Sequence, residues 1–87
     1  MIVTINTATE TTQMYRYLAA ANVAGSPVIL LEDGVYQVYK LASLCSTLKV
    51  RQLDAEQRGV QVEDAALITD SEIVVLIEQY GKQVVVK

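Results

Sequence analysis

Val28, Ile29, Leu30 and Leu31 form an unbroken apolar run that gives way to Glu32, Asp33 and Gly34 before Val35 restores apolar character. Alternating polar and apolar residues would mark a strand with one wet face. An uninterrupted run marks a strand covered on both faces, at the centre of a largely parallel sheet. The acidic turn then falls at the carboxyl end of that strand, where open α/β sheets place their functional groups.

Segments on either side alternate in period, as that architecture requires. Ile2 to Ile5 reads as a first strand. Thr7 with Glu10 fits a capping box, and Met14, Leu18 and Ala21 follow at helical spacing up to Ala24 and Gly25. Pro27 stops that helix before the central strand. Beyond Gly34, the residues Val35, Val38, Tyr39, Ala42 and Cys45 recur in steps of three and four, predicting a second helix whose first turn Asp33 caps. Gly34 supplies the tight backbone between strand and helix.

The stretch from Thr47 to Leu53 predicts a more polar third strand, and Asp54 predicts a cap for a short helix that Gly59 stops. Val60 and Val62 suggest a brief extended segment, and Ala65 to Ile68 another strand. Thr69 with Glu72 forms a second capping-box pattern. From Ser71 to Tyr80 the spacing of Ile73, Leu76, Ile77 and Tyr80 predicts a helix, closed by Gly81 and followed by a β-prone tail from Gln83 to Val86. The expected fold is a single domain over residues 1–87, a three-layer α/β/α sandwich with a mostly parallel sheet of four or five strands.

Charge and composition narrow the function. With Lys plus Arg at 7, Asp plus Glu at 10 and a formal net charge of -3, the chain offers no basic field for a phosphate backbone, so no direct nucleic-acid binding is expected. No apolar stretch approaches the roughly 20 residues that span a bilayer, so the expectation is no membrane and a cytoplasmic location. A 52% hydrophobic content in only 87 residues points to apolar surface that a partner subunit covers.

Catalytic groups are scarce. Histidine is absent, which removes a His general base and an ordinary zinc cluster, so no metal and no cofactor is expected. Cys45 is the single cysteine; its place on the apolar stripe favours packing over use as a thiolate nucleophile. Glu63 with Asp64, and Asp70 with Glu72, suit solvation and capping more than a hard cation. Adjacent Glu32 and Asp33 do not form an opposed acid–base pair. With Gly34 they either shape the turn or touch a partner. Tyr36 and Tyr39 on the second helix combine large area with a polar edge, which suits either packing or an interface. Arg16, Arg51 and Arg58 read as scattered, solvated charges.

The VILLEDGV stretch, the KVRQLDAEQRGV segment and the ITDSEIVVLIEQYG region, in that order, resemble the TusB subunit of the bacterial sulfur-relay complex, the DsrH-like family. The resemblance runs from about Met14 to Gln83. It implies a DsrEFH-like fold and a noncatalytic subunit in a heterohexamer with TusC-like and TusD-like partners. That assembly takes sulfur from an upstream carrier toward 2-thiolation of the tRNA wobble uridine. The working persulfide cysteine belongs to the TusD-like chain, and tRNA is an indirect partner only. Two other readings stay open: a small sulfurtransferase using Cys45 directly as persulfide carrier, and a homo-oligomeric module binding a small anion at a helix N-terminus.

Overall fold

The computed structural model describes residues 1–45 and 47–87. Its strands are β1 (Ile2–Ile5), β2 (Val28–Leu30), β3 (Leu48–Arg51), β4 (Leu67–Ile68) and β5 (Gln83–Val86); its helices are α1 (Thr12–Ala24), α2 (Val38–Leu41), α3 (Gln52–Arg58) and α4 (Asp70–Tyr80). They form one sheet in the order β4-β3-β2-β1-β5, with every pairing parallel. β2 is the middle strand, and Val28, Ile29 and Leu30 are all fully buried, as its continuous apolar run requires. Covering each such side chain on folding contributes about 1.5–3 kcal/mol.

Register sorts the strand residues into two faces. Val86, Ile5, Leu30, Val50 and Leu67 lie side by side on one. There they meet Met14, Leu18 and Ala21 of α1, Val38 and Leu41 of α2, and Ala55 of α3. Ile2, Ile29 and Ile68 occupy the other face and are covered by Ile73, Leu76 and Ile77 of α4. Helices therefore flank the sheet on both sides, and among the described residues three lie on one face and a single 11-residue helix on the other. Val85 of β5, beyond the reach of α4, is left exposed on that second face.

Several local expectations are corrected. α1 starts at Thr12, and its cap is Thr11, whose hydroxyl accepts from the Met14 N–H at 3.1 Å; Thr7 instead accepts from the Thr9 N–H, so the Thr7–Glu10 capping box does not form. This start puts Met14 on the buried stripe. Residues Glu32–Gln37 form a 3-10 turn and α2 proper begins only at Val38; Asp33 caps nothing and is drawn to Arg58 instead. Tyr39 and Ala42 are exposed, and Leu41 takes the core position between them. β3 stops at Arg51, because Gln52 and Leu53 already belong to α3. Val60 and Val62 form no strand, and a 3-10 turn at Asp64–Ala66 shortens β4 to two residues. Tyr80 is exposed and outside the apolar stripe of α4.

The capping box at Thr69 and Glu72 is present in both directions: Thr69 Oγ1 accepts from the Glu72 N–H, and the Glu72 carboxylate accepts from the Thr69 N–H. No helix of the described chain is long and apolar enough to cross a membrane.

Candidate functional site

In a parallel sheet every strand delivers its following loop to the same end, so the residues after β2, β3 and β4 meet at one edge of the molecule. They bring together the acidic turn (Glu32, Asp33 and Gly34), the start of α3 with Arg51 and Asp54, and Asp70 at the start of α4. Asp54, only 3% exposed, is the centre of this group. Its Oδ2 accepts the Glu32 backbone N–H at 2.8 Å and Arg51 Nη1 at 3.2 Å, and its Oδ1 accepts Arg58 Nη1 at 3.4 Å.

Both arginines then reach outward to a second carboxylate. Arg58 Nε donates to Asp33 Oδ1 at 3.0 Å, and Arg51 places Nε and Nη2 on the two oxygens of Asp70 at 2.6 and 2.9 Å. The two-pronged Arg51–Asp70 contact is the stronger kind, because two parallel N–H donors match the carboxylate geometry. It holds the Asp70 carboxyl below its ordinary value, and the same contact, with Asp54 second, raises Arg51. Arg58 is raised chiefly by Asp33. A continuous chain of alternating charge, from Asp33 through Arg58, Asp54 and Arg51 to Asp70, thus ties three strand ends together.

Asp54 was expected to cap its own helix. It sits inside the first turn of α3 and caps the 3-10 turn after β2 instead. Arg51 and Arg58, expected to be scattered and solvated, converge on it. Their spacing of three and four residues from Asp54 is the signal in the sequence, since such positions share one helix face. Asp70 lies too far along the chain for any local pattern to have placed it here.

The turn itself differs from expectation at the level of single residues. Glu32, with no glycine's freedom, takes the left-handed conformation at φ 50. Gly34 is needed for another reason: a Cβ there would sit 1.9 Å from the Ile5 carbonyl oxygen. Its backbone packs directly on β1, at a distance that no other residue tolerates.

Tyr36 and Tyr39 follow the turn and are 53% and 69% exposed. The Tyr39 hydroxyl donates to the Gln61 carbonyl, which fixes the ring across the molecular surface. Cys45 is not part of this group. It precedes β3 and so lies toward the amino ends of the strands, 7% exposed, and burial pushes its thiol pKa up. A raised thiol is a weaker source of thiolate, the form that attacks sulfur donors. It borders a hollow of about 390 Å³ whose wall includes Val38, Ala42, Leu48 and Val62.

Three strand-end carboxylates are therefore engaged in holding the fold. Asp33, Asp54 and Asp70 are each separated from the next by a guanidinium, an arrangement that locks a turn in place and does not oppose two carboxylates for proton transfer. Among the described residues no group of three or more His, Cys, Asp or Glu side chains is placed to hold a metal ion. Comparison with family models, with curated proteins and with solved structures returned no match.

Proposed function

We propose that this chain is a cytoplasmic, noncatalytic subunit of a heteromeric sulfur-relay complex, of DsrEFH-like fold, assembled with TusC-like and TusD-like chains that carry persulfide toward tRNA wobble-uridine thiolation. The reading rests on the sequence resemblance. The observation that carries it here is the strand-end group, whose Asp33, Asp54 and Asp70 carboxylates are taken up by Arg51 and Arg58 while Tyr36 and Tyr39 beside it stay exposed. Exposed tyrosines on a rigid support are what an interface uses, since they bury large area at little entropic cost. The burial and raised pKa of Cys45 favour a persulfide carried on another chain over one carried here.

Co-expression with TusC-like and TusD-like proteins, followed by intact-complex mass measurement, tests the assignment. The expected result is a defined heteromeric complex; a chain that neither binds those proteins nor alters sulfur transfer overturns it. Mass spectrometry after treatment with a sulfur donor addresses Cys45. Persulfide on Cys45 would replace the noncatalytic role with the small-sulfurtransferase one.

A further inference from the structure

The acidic excess of this chain gathers around the β4 edge of the sheet. Three hollows surround the 60–66 segment beside β4: the one at Cys45, a second of about 270 Å³ against α3, and a third of about 480 Å³ against α4. Their walls carry Glu56, Glu63, Asp64 and Glu72 against one base, Lys49, whose ammonium is committed to the Ala65 carbonyl at 2.7 Å. Six acids and six bases make up the rest of the chain, so the walls of these three hollows hold the whole formal net charge of -3. Elsewhere the charges balance, and many are paired with one another.

The hollow at Cys45 is lined mainly by apolar side chains, among them Val38, Cys45, Leu48 and Val62. Two small residues, Ala42 and Ala66, leave the room that larger side chains would fill. Its rim is built, with Tyr39 tied to the Gln61 carbonyl and Glu63 alongside. An apolar socket bordered by the Glu63 carboxylate, with Asp64 next along the chain, fits a large apolar side chain flanked by cations. RNA and anionic membrane carry the wrong sign for this side.

We propose that the hollow beside Cys45 is the socket for an apolar anchor residue from a Lys/Arg-rich segment of a partner protein, with Glu63 and Asp64 meeting the flanking cations. This deepens the interaction-subunit reading by naming the chemistry of one contact. It does not depend on which assembly supplies the segment.

The test uses short synthetic peptides with a central Leu, Ile, Met or Phe and Lys/Arg flanks, matched with peptides of the same centre and Glu/Asp flanks. Binding is read by fluorescence anisotropy and by the rate of Cys45 alkylation. The expected result is that a basic-flanked peptide binds and slows alkylation of Cys45 at least about tenfold, and that its affinity falls when salt is raised toward 1 M, where the Debye length shrinks to ~3 Å. Ala42→Phe, which fills the hollow from an exposed position, and the double variant Glu63→Lys, Asp64→Lys are each expected to weaken binding at least about tenfold, a loss of ~1.4 kcal/mol. Their circular dichroism should match the parent chain.

Equal binding of acidic-flanked peptides, unchanged binding in a folded Ala42→Phe variant, or no effect of any basic peptide on Cys45 overturns the proposal. So does a self-associated chain in which Cys45 is already protected, which would make a second copy the occupant. Failure of TusC-like and TusD-like proteins to co-purify would remove the sulfur-relay assignment and leave the peptide result standing.

Discussion

The buried carboxylate of Asp54 accepts the backbone N–H of Glu32 at 2.8 Å across 22 positions of sequence. One side chain from the first turn of α3 thereby holds the backbone at the end of the central strand. Arg51 and Arg58 supply the charge that lets a carboxylate stay buried there.

Asp54→Ala removes the acceptor and leaves two partly buried guanidinium groups facing each other. A loss of about 2–4 kcal/mol is expected by urea denaturation, with Asp54→Asn intermediate because its amide oxygen still accepts the Glu32 N–H. Equal stability of the alanine variant would show that the contact has no weight in the fold.

Gly34→Ala places a methyl group against the Ile5 carbonyl, and neither is the end of a flexible side chain. The expected cost is at least about 3 kcal/mol, in line with backbone strain in a fixed core, seen as aggregation or a collapsed melting temperature. Glu32→Gly, two residues earlier, should act in the opposite direction. It relieves a left-handed non-glycine conformation, and a gain of up to about 1 kcal/mol in chemical denaturation is the expected outcome.

Acid should weaken the Arg51–Asp70 link. The folded-state pKa of Asp70 lies below the ordinary 3.8, so its contribution is fully present above that value and is lost as pH falls through the depressed folded value. Glu72, lowered by the Thr69 backbone and hydroxyl, behaves in the same direction from 4.5 downward. Asp70→Asn should therefore flatten the acid limb of a stability-versus-pH curve measured by thermal melting. A limb of unchanged steepness would remove Asp70 from the account.

Cys45 should react slowly with a neutral alkylating reagent near neutral pH, at least about tenfold below a free thiol, and should reach the free-thiol rate once the chain is unfolded in urea. A native rate equal to the unfolded one would mean that the thiol is open to solvent.

The parts of the fold that could be read in advance are those whose causes are local. The double-sided burial of Val28, Ile29 and Leu30 follows from their unbroken apolar run, and the start of α4 follows from Thr69 and Glu72 three residues apart. The start of α1 was misplaced because Thr7, Thr9, Thr11 and Thr12 offer several hydroxyls, and the choice among them depends on bringing Met14 over the sheet. The strand-end group was missed for a different reason. Asp54 looks like a cap until the parallel register of β2 and β3 sets its first turn beside Glu32, and Asp70 joins only through the pairing of β3 with β4. Tyr36 and Tyr39 stand out in the sequence for large area and a polar edge, but their exposure is a property of the packed helices and not of their spacing.

α4 carries the chain from β4 at one edge of the sheet to β5 at the other, and among the described residues it is the only helix on its face. β1 therefore waits for a strand some eighty residues later to occupy its open side; Thr4 Oγ1 donates to the Val84 carbonyl across a separation of 80. Until β5 arrives, Ile2 and Ile5 sit at a raw sheet edge. A chain of this design is at its most adhesive before β5 docks, when a chaperone or a partner subunit has most to gain by holding it.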